Sequence, residues 1–314
     1  MKKSTIIKIF PLFLIQLFMV SSSYSQLLTK EEVSNASGEL RELVDRVNDV
    51  YRPIFRKNLL RFKIRADFNE ELAMDINDRI THWGSPASAD FFPHRLGVVD
   101  FRGETMALDY MTKDVGALIL CHEIGHLIGG APLNKKLSFE GKWTTSEGQA
   151  DYFSTLKCVK RLWQLDEAQI LERDLDIPDS LWNKCDLQFE ELKDRGICQR
   201  SLKAINNLAK SYFYSRLPSE KAISLNRHSA NIADVTIEKY PDDQCRIDIL
   251  VAGALCNKKG KLSKLDPTLG VCAEENGDIQ GVRPRCWYKP LSLQELGALK
   301  DKNMLEKFRS LIRD

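Results

Sequence analysis

Six residues, Cys121-His122-Glu123-Ile124-Gly125-His126, carry the clearest chemistry in the chain. They read H-E-x-x-H. Val115, Leu118 and Ile119 repeat at helical spacing, and His122 and His126 continue that stripe. Residues four apart stack on one helix face, so two imidazoles can hold one metal ion from the same side. Glu123 lies roughly a quarter turn away, near the ion without having to bind it. A zinc hydrolase needs two nitrogen ligands, an open position for water, and a carboxylate to take the water's proton. The competing reading is a helix in which the motif occurs by chance. The apolar flanks argue against it, because two buried imidazoles without a partner are costly.

A third ligand is expected in Thr144-Thr145-Ser146-Glu147-Gly148-Gln149-Ala150-Asp151-Tyr152. Glu147 and Asp151, four apart, share a face of a second helix. Glu147 is read as the ligand and Asp151 as the outer support that takes a histidine's other N–H and fixes its tautomer. The opposite assignment stays open, as does a plain capping role for Glu147 with Thr144. A capping box of Ser146 with Gln149 would leave Glu147 free. Gly129-Gly130 and Pro132 should stop the first helix. Gly129 fits the metzincin pattern H-E-x-x-H-x-x-G-x-x-H, but Pro132 stands where its last histidine belongs, which excludes that family.

H-E-x-G-H followed by E-x-x-A-D (Glu147 to Asp151) resembles the gluzincin metallopeptidases, most closely the CaaX-prenyl-protease and HtpX-like family. Tyr240-Pro241-Asp242-Asp243-Gln244-Cys245-Arg246-Ile247 is similar to that family's H-P-x-x-x-x-R-I, with tyrosine in place of histidine. The likeness spans roughly residues 60 to 256. It implies a zinc endopeptidase with one Zn2+ per chain. It also implies catalytic roles for Tyr240 and Arg246, and for an asparagine before the metal helix, for which Asn77 is the nearest candidate. The family's usual membrane helices are missing, so its substrates are not carried over.

The elements that must position these residues come before and after them. Thr29 with Glu32 fits a capping box opening a helix whose apolar face runs from Val33 to Tyr51, with Pro53 expected to end it. Phe62, Ile64 and Ala66 alternate with charges and predict a strand. Leu72, Met74 and Ile76 predict a second. Leu96 to Phe101 predicts a third, after a turn at Gly84-Ser85-Pro86. An edge strand beside the metal helix could pair with an extended peptide. After the site the pattern is helical. The second helix continues through Leu156, Val159, Leu162 and Trp163. Residues 179–214 follow, interrupted at Gly196. Residues 247–256 read as a buried helix and 291–312 as amphipathic helices. Residues 272–286 read as a loop. His82, His94 and His228 read as surface or loop residues.

The first 25 residues look like a signal peptide: Lys2, Lys3 and Lys8, a short apolar run, then Ser23-Tyr24-Ser25. No later run predicts a membrane span. The chain holds 46 basic and 44 acidic residues, and the leader takes three of the lysines, so the remainder is one acid in excess. That balance gives no reason to expect a nucleic-acid partner. All eight cysteines lie after the leader, as in disulfide-bonded exported proteins. Cys272 and Cys286 are expected to pair across the loop-like segment. Cys121 is read as a core or disulfide cysteine, because one residue along a helix turns it away from the His122 face.

The expectation is therefore an α+β, zincin-like fold, with a small sheet packed on a zinc-binding helix and a mainly helical C-terminal part. Residues 26–256 would form the metallopeptidase domain and 257–314 a cysteine-containing extension. The expected function is a periplasmic or secreted zinc peptidase acting on peptides or proteins, with Glu123 as base. The alternatives are a zinc-stabilised binding protein without activity, and another zinc hydrolase such as a cell-wall amidase.

Overall fold

A three-stranded mixed sheet lies against two long helices. It is seen in a computed structural model that describes residues 29–74, 87–92, 96–108, 110–134, 144–167, 171–215, 223–299 and 301. The leader, Ile76, Asn77, His82, His94 and residues 302–314 fall outside them. The architecture is α+β.

Helix α1 spans Lys30–Lys57 and opens with the expected capping box of Thr29 and Glu32. It does not end at Pro53, which lies inside it. Proline removes one helical N–H, but Pro53 is exposed, so water can serve the carbonyl left behind. The helix closes four residues later in a Schellman turn, with Leu60 N–H donating to Phe55 O and Leu59 N–H to Arg56 O.

Strand β1 is Arg61–Arg65. The second predicted strand is a short helix instead, α2, Glu70–Met74. Alternation over so few residues did not separate the two periods. A strand the sequence did not announce, β2, Ala87–Phe92, takes its place in the sheet. Strand β3, Leu96–Phe101, is central, parallel to β1 and antiparallel to β2. Phe62, Ile64, Val99, Phe101 and Ala87 pack into one core with Val47, Tyr51 and Phe55 of α1. Phe55 stacks on Phe62 at 4.3 Å between ring centres.

Helix α3, Lys113–Ile128, carries the H-E-x-x-H motif and is capped by Thr112. It stops at Gly129, and Gly130 has φ +81°. Helix α4, Glu147–Phe153, passes through a π-helical turn, Ser154–Cys158, into α5, Val159–Trp163. Helices α6, Asp179–Gln188, and α7, Leu192–Ser215, break at residues 189–191, and Gly196 sits inside α7. Helix α8, Asp243–Leu255, starts just after Pro241.

Four disulfides pair all eight cysteines: Cys121–Cys158, Cys185–Cys198, Cys245–Cys286 and Cys256–Cys272. The expected Cys272–Cys286 pair does not form. Each of these cysteines is bonded to one end of α8, so the segment after residue 256 is stitched onto that helix. Loop-like spacing favours a local pair only when no packed element competes, and α8 competes here. Among the described residues, no helix is long and apolar enough to cross a membrane.

Candidate metal centre

Two helices meet where side chains are smallest. A Cβ on Gly125 would lie 2.9 Å from Ala150 Cα and 3.0 Å from its carbonyl oxygen. The glycine of H-E-x-G-H and the alanine of E-x-x-A-D are therefore contact residues. They let α3 and α4 approach closely enough for Glu147 to reach the histidine pair.

His122, His126 and Glu147 then form one cluster, with a donor atom from each lying within 4.8 Å of the others. His122 Nε2 and His126 Nε2 are 3.0 Å apart. Glu147 Oε2 stands 3.4 Å from the first and 3.6 Å from the second. Two donors each about 2.0–2.1 Å from one ion can be no more than about 4 Å apart, and all three spacings satisfy that.

The far side of each ring is fixed. His122 Nδ1 lies 2.7 Å from Asp151 Oδ1, and His126 Nδ1 lies 2.9 Å from the Thr145 carbonyl. The carbonyl accepts only, so His126 donates from Nδ1 and aims the Nε2 lone pair at the centre. The carboxylate places the same demand on His122. Two facing lone pairs and a carboxylate repel one another unless a positive charge sits among them. Glu147 Oε2 is buried and no hydrogen bond satisfies it, which is rare for a buried carboxylate. The residues present fit a metal ion.

The protonation equilibria carry the same demand. Burial alone would push the His122 imidazole down. The charge and hydrogen bond of Asp151, aided by Glu147 and Glu123, overcome this and raise it to about 10. Glu147 is raised by burial but pulled well below the usual carboxylate range by the two histidines. Asp151 is likewise depressed, because Arg246 and His122 outweigh its burial. Glu123, buried beside the same charges, goes the other way: burial dominates and raises it.

Asp151 stands behind His122, on the side away from the cluster. Arg246, on α8, grips both its oxygens in a fork, Nε to Oδ2 at 2.8 Å and Nη2 to Oδ1 at 2.9 Å. That fork is turned to Asp151, so Arg246 reaches the cluster through His122. Tyr240 has most of its surface exposed. Its phenol is raised by partial burial and then by Glu147, which places it at the rim of the centre. Arg246 lies under its ring, 5.6 Å from the centroid. His228 sits apart on an exposed loop, paired with Asp248. The Ser146–Gln149 capping box is not formed: Ser146 precedes α4 without a side-chain cap. Gln149 instead donates to the Gly129 carbonyl at 2.9 Å.

Three contributors were not apparent from the sequence. The Thr145 carbonyl is aimed by a short bridge, Leu133 against Thr145, and by Thr145 N–H donating to His126 O at 3.0 Å. Backbone acceptors leave no side-chain signature. Arg283, only 2% exposed, donates to Gln149 Oε1, Pro267 O and Ala131 O at 3.0, 2.7 and 3.3 Å. It lies among the rings of Tyr152, Trp287 and Tyr288. Trp287 is fully buried against Gly148, where a Cβ would fall 2.3 Å from the indole. The run Arg283 to Tyr288, with aromatics crowding a cysteine, is the one sequence signal that could have marked this buttress. No family model, curated protein or solved structure matches the chain.

Proposed function

We propose that the chain is an exported zinc-dependent peptidase with a zincin-like centre formed by His122, His126 and Glu147. The observation that carries this reading is the cluster itself. Three protein donors converge on one point, both imidazoles are held from behind, and a further carboxylate, Glu123, stands by without any need to ligate. Two histidines and one glutamate with an open position is a catalytic zinc set, whereas structural zinc sites close with four protein ligands. Bound zinc would acidify a water and polarise the substrate's carbonyl.

The chain's own residues supply the remainder. Glu123 takes a proton from the attacking water and later gives it to the departing amine nitrogen. Burial favours its neutral form, which suits the second step. Tyr240 offers a phenolic O–H at the rim for the carbonyl oxygen as negative charge develops there. Arg246 keeps Asp151 ionised and in place, and Asp151 keeps His122 in the tautomer that binds metal. Asn77 keeps the role the family resemblance gives it.

A zinc-stabilised binding protein without activity is less well supported. Four disulfides already cross-link this fold, and a structural metal needs no neighbouring base. Amide hydrolysis in a cell-wall peptide would use the same centre, and substrate choice separates the two.

The test is metal analysis of the purified protein and of its ligand variants. One zinc per chain is expected, with most of it lost in each of His122→Ala, His126→Ala and Glu147→Ala. Full zinc in Glu147→Ala beside a loss in Asp151→Ala would reverse the assignment of the two carboxylates.

A further inference from the structure

The corner between α1 and β1 carries features that the fold does not require. Between Asp49 and Asp67 lie six cations, Arg52, Arg56, Lys57, Arg61, Lys63 and Arg65, and no acid. All six are exposed. Arg65 pairs with Asp100. Among the described residues, the side chains of the other five form no ion pair or hydrogen bond. Elsewhere several cations are answered, Lys113 by Glu42, Lys210 by Asp176, Lys258 by Asp278 and Arg285 by Glu274, and unpaired ones such as Lys30, Arg41 and Lys184 have acids within two residues in sequence. In β1 the three cations alternate with Phe62 and Ile64, so they line the sheet face turned away from the core.

Leu59 stands at the tip of this corner, 75% exposed and with φ +57°. It occupies the left-handed position of the Schellman turn, where glycine is favoured and a leucine is strained. The turn's own apolar contact is made by the next residue, Leu60, which is half-buried against the core. Folding accounts for Leu60 and gives no reason for Leu59. Other leucines are as exposed, but this one sits on a strained backbone amid cations, and membrane-interface contacts combine apolar side chains with Lys and Arg in that way.

We propose that the tip of this corner docks the protein on an anionic phospholipid surface, Arg56, Lys57 and Arg61 meeting the headgroups and Leu59 entering the boundary below them. A soluble polyanion would use the cations alone; the leucine selects the bilayer. The proposal is independent of the metal centre.

Co-sedimentation of the purified mature chain tests it, using vesicles of phosphatidylcholine alone or mixed equally with phosphatidylglycerol. Binding to the mixed vesicles is expected, weakened by salt, with little binding to the neutral ones. Each cation removed should weaken partition about fivefold, so Arg56→Gln, Lys57→Gln and Arg61→Gln together should weaken it about a hundredfold. Leu59→Gly separates a folding role from a docking role. It relieves the backbone, so the protein should melt no lower than wild type while partition falls several-fold. Undiminished partition in Leu59→Gly or in the triple variant would overturn the proposal. So would equal binding to neutral vesicles, or binding to heparin as tight as to the mixed vesicles and indifferent to Leu59→Gly.

Discussion

At the scale of single residues, the histidine–carboxylate cluster needs one positive charge at its centre, and a proton or a metal can supply it. With metal removed, His122 holds that proton up to about pH 10, against about 6.5 in the unfolded chain. The folded state then binds the extra proton between those values. Its contribution to the stability of metal-free protein is full below about pH 6.5 and is lost as pH rises towards 10. The melting temperature of metal-free protein should fall across that window, and that of the metal-loaded protein should not follow it. Titrating metal into the protein at pH 7 in buffers of different ionisation enthalpy should show proton release. Tyr240→Phe is expected to lower kcat about 10²-fold or more with KM and zinc content little changed, the effect of losing one donor to the oxyanion. Steady-state kinetics with equal kcat would remove Tyr240 from the reaction. The two histidines and both carboxylates of E-x-x-A-D were legible in the sequence because side-chain type and spacing encode them directly. The partner of Arg246 was not legible, because the contact with Asp151 spans 95 positions of sequence.

At the scale of elements, the helix carrying H-E-x-x-H is gripped from several sides. Arg200 on α7 forks onto Asp114 in the first turn of α3, at 2.8 and 2.7 Å, while also holding Asp166 and lying over Trp163. The far end of the helix is held by Gln149 and Arg283. Arg283→Met should leave the acceptors on Gln149, Pro267 and Ala131 unsatisfied, at about 1–3 kcal/mol each. Because Gln149 lies two residues from Glu147 on α4, metal affinity should also fall, by about 10–100-fold. Competition with a chelator would measure it, and unchanged affinity would separate the buttress from the centre. Gly148→Ala should act at the same place, since Trp287 leaves no room for a methyl. Helix existence, the Thr29–Glu32 cap of α1 and the central strand were readable from periodicity and capping chemistry, whereas the Ser146–Gln149 cap and a stop at Pro53 were not realised. Strand β2 and the helical state of residues 70–74 were not. Short segments are decided by what they pack against, and that information is not local.

At the scale of the whole molecule, the segment after residue 256 is part of the support for the centre. Cys245–Cys286 and Cys256–Cys272 bind it to both ends of α8, and α8 supplies Arg246, which holds Asp151 behind His122. Removing those two disulfides by Cys→Ala substitution should lower both metal affinity and melting temperature. Removing Cys185–Cys198, which joins α6 to α7, should lower the melting temperature alone. Closing a loop of that size contributes about 3 kcal/mol in the chain-entropy model, or on the order of 10 °C for a domain of this length. The cysteine count pointed to an oxidising compartment, but the pairing depended on where α8 packs. The central claim, that a metal held by His122, His126 and Glu147 works with Glu123 as base, rests most directly on one comparison. Wild type and Glu123→Gln, each assayed for zinc, are incubated with a peptide library and the cleavage products are read by mass spectrometry. One zinc per chain is expected in both proteins, with cleavage by wild type and nearly none by the variant. Normal turnover by Glu123→Gln, or zinc-loaded wild type that cleaves nothing in the library, would contradict it.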